Sequence, residues 1–178
     1  RYQGEGFPSE YFSARLVRGA QWQGPRYAIT TKPFLDDASN NAVIDRTTGL
    51  IWRRCEGEFT WDGTACRNPS ALHTHQQALF TAKVVWEQSP GWRMPNIQEL
   101  FSVFGPVGVK PLALDPAYFS STLDSLFTWS TTPLLVAPLS SNLEYRFAPH
   151  YDEDSKSNVV RYGSRNDVAR TRYVWTAN

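Results

Sequence analysis

Apolar residues in this chain come in short clusters, and only two stretches keep a helical period with both ends signalled. In the first, Ala78, Leu79, Ala82, Val85 and Trp86 recur at helical spacing. Thr74 precedes them as a cap, Gln77 completes a capping box three residues on, and Pro90-Gly91 stops the pattern. In the second, Ile97, Leu100, Phe101 and Phe104 form one apolar face. Asn96 and Glu99 make the same kind of box there, and Gly105-Pro106 ends the helix. Glu99 is also the carboxylate nearest to hand for Arg93, which points to a structural ion pair.

The remaining apolar runs read as strands. Val43-Ile44-Asp45 and Leu50-Ile51-Trp52 flank the turn-rich Arg46-Thr47-Thr48-Gly49 and predict a hairpin. Phe127 to Ser130, Asn158 to Tyr162 and Thr171 to Thr176 predict further strands, and Ala137 to Asp154 reads as a long loop. Two alternating segments, Arg15 to Ala20 and Arg172 to Ala177, echo one another near the two ends. Two helices followed by strands and loops predict an α+β domain. The 178 residues suit one domain, placed at 41–178, with 1–40 as an N-terminal extension or a strand contributed to it.

Composition narrows the class. Hydrophobic residues make up 41% and seven Trp supply core anchors, yet no run approaches the ~20 apolar residues of a membrane span. The 11 Gly and 12 Pro are spread along the chain, which favours short elements joined by turns over a helical bundle. Eighteen Lys and Arg against seventeen Asp and Glu leave a net charge of +1, against general binding to nucleic acid. The charge is uneven: residues 1–35 carry +3, residues 36–145 carry −4 and residues 146–178 carry +2. Any charge-driven recognition is therefore local.

Cys55 and Cys66 lie in a stretch rich in Gly, Asp, Asn and Thr, where a loop can close through a disulfide. Two free buried thiols are the alternative, and His73, His75 and His150 fit no zinc spacing beside them. A bridge would place the chain in an oxidising compartment.

Together the motifs resemble a known family. The run from Val43 to Trp52, then Arg54-Cys55-Glu56-Gly57, Thr60-Trp61-Asp62-Gly63 and Cys66 appear in order, followed by Gln77-Ala78-Leu79, the stretch Gly91 to Leu100 and Trp129-Ser130-Thr131-Thr132. This set is similar to the DUF1566 family, which includes the C-terminal domain of the Legionella collagen-like adhesin. The resemblance implies a C-type-lectin-like fold with its terminal strands close together. It departs from the family's pattern at His75, where Trp is usual, at Met94, where Leu is, and at Trp175, where Arg is.

Candidate chemistry is sparse. There is no nucleophile elbow, zinc helix motif, phosphate loop or dinucleotide fingerprint, and no catalytic residue or cofactor is assigned. Trp52, Trp61, Trp92 and Trp129 sit among apolar or turn residues and read as core. Asp152-Glu153-Asp154-Ser155 offers oxygens but lacks the rest of a calcium loop, so it reads as a solvated acidic turn and no metal site is assigned. The binding candidates are Lys156, Asn158, Arg161, Tyr162, Arg165 and Arg170, with Arg172 beside them: guanidinium groups grip carboxylate or sulfate in bidentate fashion and a tyrosine can stack on a sugar ring. The competing reading makes them the exposed faces of strands near the C-terminus, with Arg15 and Arg172 paired internally.

These observations and the resemblance predict a bacterial recognition or adhesion module, secreted, periplasmic or on the cell surface. Its partner would be a glycan, anionic or sulfated, or a host or appendage protein, with no nucleic acid and no membrane insertion. The alternative is a structural tip or minor subunit of a surface appendage such as a pilus or fibre, capable of self-association. A cysteine-dependent enzyme comes third, because a fold carries no function without a site.

Overall fold

The turn Arg46-Thr47-Thr48-Gly49 sets the first hairpin. Gly49 takes φ +74°, a left-handed conformation open to glycine, and its N–H donates to the Asp45 carbonyl at 2.7 Å. In the computed structural model, which describes residues 23–35, 37–68, 71–104, 114–119, 127–133, 143–152, 157–164 and 166–176, this hairpin seeds a five-stranded sheet. Strand β1 (Tyr27–Thr30) pairs with β2 (Ala42–Asp45), which pairs with β3 (Ile51–Arg53) in the expected register, Val43 opposite Trp52. Part of the N-terminal segment is thus a strand of this sheet. Two short hairpin strands follow, β4 (Thr60–Trp61) and β5 (Cys66–Arg67). The disulfide Cys55–Cys66, with Cα atoms 5.7 Å apart, ties that hairpin to the end of β3.

Helix α1 (His75–Gln88) opens with the predicted capping box: Thr74 Oγ1 accepts from the Gln77 N–H at 3.3 Å, and Gln77 Oε1 accepts from the Thr74 N–H at 2.9 Å. After it come β6 (Trp92–Arg93) and α2 (Ile97–Phe104). At α2 the box is again present, with the Glu99 N–H donating to Asn96 Oδ1 at 2.9 Å and the Asn96 N–H to Glu99 Oε2 at 2.8 Å. Arg93 holds Glu99 through both nitrogens, at 2.6 and 2.9 Å, as its position predicts. The expected stop at Gly105-Pro106 lies outside the described residues.

A second sheet contains β7 (Thr128–Pro133), β8 (Leu143–Asp152) and β9 (Ser157–Ser164), antiparallel throughout. Strand β8 corrects the reading of Ala137 to Asp154 as a loop. Leu143, Tyr145 and Phe147 do alternate with Glu144 and Arg146, but Ala148-Pro149 breaks the pattern halfway, and the strand pairs with β9 from Asp152–Ser157 onward. The last strand, β10 (Val174–Trp175), enters the first sheet between β3 and β6, giving the order β1-β2-β3-β10-β6. It is shorter than Thr171 to Thr176: the Thr171 carbonyl is taken by the Gly57 N–H at 2.8 Å, in the loop beyond β3, and regular pairing begins only at Val174.

Both faces of the five-stranded sheet are covered. Ala42, Ile51, Trp92 and Tyr173 pack with Ala78 and Val85 of α1. Val43, Trp52 and Val174 pack with Leu100 and Val103 of α2 and with Leu114 and Phe119. Adjacent residues therefore serve opposite layers, which is why these strands read as continuous apolar runs. Trp52, Trp61, Trp92 and Trp129 are all interior, as expected. Two of their indoles reach carbonyls, Trp92 to Pro33 at 2.6 Å and Trp129 to His73 at 2.7 Å.

The buried stripe of α1 is narrower than its sequence pattern suggests. His75, Ala78 and Val85 are buried, whereas Leu79 and Trp86 are about half exposed at 44% and 51%. Small residues on the 78–82–85 row let the helix approach the sheet closely, and the positions one step round, at ~100° per residue, fall on its shoulder.

Candidate functional site

The strongest charged chemistry in the described interior is structural. Asp37 accepts from Arg53 Nε and Nη2, both at 2.8 Å, with both side chains buried; Arg53 also donates to the carbonyls of Gly57 and Phe59. A short distance away Arg172, fully buried, donates to Glu56 Oε1 at 2.8 Å. Burial pulls the Arg172 guanidinium down from its ordinary value and Glu56 pulls it back up. The two pairs join the loop after β3, the segment before β2 and the last strand, and so fix the ends of the sheet.

Of the predicted binding residues, Asn158, Arg161 and Tyr162 fall on β9, while Lys156 and Arg165 lie outside the described residues. The register places Arg161 opposite Arg146 and Tyr162 opposite Tyr145, with Asn158 opposite Tyr151. Sequence reading missed Arg146 and Tyr145, because their strand was taken for a loop; two strand-like alternations facing each other across a turn were the available signal. Arg170 is placed elsewhere. Its residue is 8% exposed, its Nη1 lies 3.5 Å from Glu56 Oε2, and its guanidinium is 5.6 Å from the Phe59 ring centre. It belongs to the interior frame, as does Arg172. The physical reason is the pair of bridges at residues 169 and 170, which carry this stretch beneath the surface.

The other candidate surface is a hollow of about 380 Å³ beside the start of α1, lined by His73, Gln76, Gln77, Phe80 and Thr81. The Phe80 ring is prominent, with the residue 67% exposed. His73 Nε2 is 3.4 Å from Glu58 Oε1, too long for a strong hydrogen bond. Among the described residues no three His, Cys, Asp or Glu side chains gather in a way that would hold a metal. No helix among them is long and apolar enough to cross a membrane.

Among the described residues, two helices and small antiparallel sheets form an α+β frame clamped by a disulfide and by buried arginine–carboxylate pairs. Residues 41–175 match the family described as the Lcl C-terminal domain, and the chain belongs to that family. The family is an adhesin-associated one, not a known enzyme family. No curated protein matches the chain, and no solved structure does.

Proposed function

We propose that this domain is an extracellular adhesion module that binds anionic, sulfated glycans through the β8–β9 ribbon. The observation that carries this reading is the cross-strand placement of Arg146 with Arg161 and of Tyr145 with Tyr162. It concentrates guanidinium and aromatic chemistry on two adjacent strands, and Lys156, Asn158 and Arg165 extend the same stretch of chain. Membership of an adhesin-associated family and a disulfide, which suits an oxidising compartment, support the same reading. A C-type-lectin-like fold fits the two helices, the small antiparallel sheets and the closing strand β10 set inside the first sheet.

The test is binding to immobilised heparin over a range of salt. Affinity is expected to fall steeply with ionic strength, and the double variant Arg146→Ala/Arg161→Ala to flatten the log–log slope by about one for each cation lost. Unchanged binding by that variant would remove the ribbon from the interface. A second reading, the tip or minor subunit of a surface appendage, draws on the outward Leu79 and Trp86 of α1. It predicts self-association or a dedicated protein partner in size-exclusion chromatography.

A further inference from the structure

The hollow on α1 differs from the ribbon in its chemistry. Its five lining side chains include no Lys, Arg, Asp or Glu, so nothing there selects for a sulfate or a carboxylate. It has instead a prominent aromatic ring beside amide and hydroxyl groups. Phe80 and Gln76 sit one turn apart on the helix, as do Thr81 and Gln77, and the two rows stand side by side. Gln77 spends its carbonyl oxygen on the cap, accepting from Thr74, which pins the side chain and leaves its NH2 as a donor. The Gln76 amide and the Thr81 hydroxyl have no hydrogen-bond partner among the described residues. The Phe80 residue stays 67% exposed, a cost in solvation that a partner would relieve, and the Gln77 amide beside it is already oriented by the cap.

From this arrangement we infer that the hollow is a second binding site, for the ring of a neutral sugar. The C–H face of a pyranose is apolar and covers the Phe80 ring. Its vicinal hydroxyls, each both donor and acceptor, match the Gln76 amide, the Gln77 NH2 and the Thr81 hydroxyl. An anionic ligand would find no Lys or Arg in the lining, and a purely apolar one would strand those polar groups. The site is separate from the ribbon proposed above, and salt tells the two apart: screening weakens the ribbon's binding and leaves contacts between neutral groups largely intact.

The experiment is an NMR titration of the intact, disulfide-bonded chain with methyl glucoside, methyl galactoside, methyl mannoside and N-acetylglucosamine, at low salt and at about 1 M salt, where the screening length is ~3 Å. At least one sugar is expected to shift the Gln76 and Gln77 side-chain amides and the Phe80 signals, with similar affinity at both salts. Phe80→Ala, at a position too exposed to threaten folding, should weaken that binding by about tenfold or more, and Gln76→Ala should weaken it as well. Trp86→Ala, outside the hollow, should leave it unchanged. Absence of any response at these residues to all four sugars overturns the inference, whatever heparin does. So does a response that vanishes at high salt, or shifts at Phe80 that follow protein concentration alone and reveal a second copy on the helix face.

Discussion

Trp175 fills the space that any side chain at position 91 would need. Gly91 has φ +98°, and a Cβ there would come within 1.9 Å of the Trp175 indole nitrogen. On the indole's ring Lys32 places its ammonium 3.7 Å from the centre. Gly91→Ala is therefore expected to cost about 2 kcal/mol or more in urea unfolding, from strained backbone and overpacking together. A loss near zero would mean that Trp175 moves aside freely. The buried Arg53–Asp37 pair makes a sharper prediction. Asp37→Ala leaves an uncompensated guanidinium in the interior and should cost about 3–5 kcal/mol, whereas Arg53→Met/Asp37→Leu should recover part of that, the Gly57 and Phe59 carbonyls and the Trp61 N–H losing their partners. Residue-level legibility followed sequence distance. The Arg93–Glu99 pair could be read because a helical turn and its cap bring the two together. Glu56 and Arg172 are 116 residues apart, and only the sheet's closure by β10 makes them neighbours.

At the scale of elements, local signals located the helices and the first hairpin because caps and turn residues act over three or four positions. Strand β8 escaped because its alternation, Leu143, Tyr145 and Phe147 against Glu144 and Arg146, lasts only half its length before Ala148-Pro149 and an acidic stretch that read as a loop. Two of the five residues predicted on the α1 face, Leu79 and Trp86, lie at its edge for a related reason: periodicity shows which residues share a face but not how closely the helix approaches its sheet. The disulfide closes a short loop, with a sequence separation of 11, and removing it with Cys55→Ser/Cys66→Ser should cost about 2–3 kcal/mol in urea unfolding. Acid should weaken the same elements. Burial raises the Asp45 carboxyl, but bonds from Arg26 and the Thr47 N–H outweigh it and hold it below its ordinary value. Glu99 is likewise raised by burial and lowered further by Arg93 and the Asn96 N–H. Carboxyls with depressed folded values contribute stability above their unfolded value of about 4 and lose it as pH falls through the folded value. The urea midpoint is thus expected to be level from neutral pH to about pH 5 and to drop below about pH 4, with Glu99→Gln removing part of that dependence. A midpoint that rises on acidification would show that these pairs do not govern acid stability.

At the scale of the whole molecule, the described interior holds its charges in pairs: Arg53, Arg170 and Arg172 face carboxylates inside and hold strand ends together. The proposed function puts recognition elsewhere, on the β8–β9 ribbon. Sequence alone could not divide the C-terminal arginines between these roles, since Arg161 and Arg170 sit in equally basic surroundings and differ only in where the chain runs. The division is open to one measurement: heparin affinity of two variants beside the parent chain. If recognition resides on the ribbon and the interior is a frame, the repacked Arg53→Met/Asp37→Leu chain will bind heparin as the parent does, and Arg146→Ala/Arg161→Ala will lose about tenfold or more. The reverse pattern, binding lost on repacking a folded interior and kept without the ribbon arginines, would contradict the account.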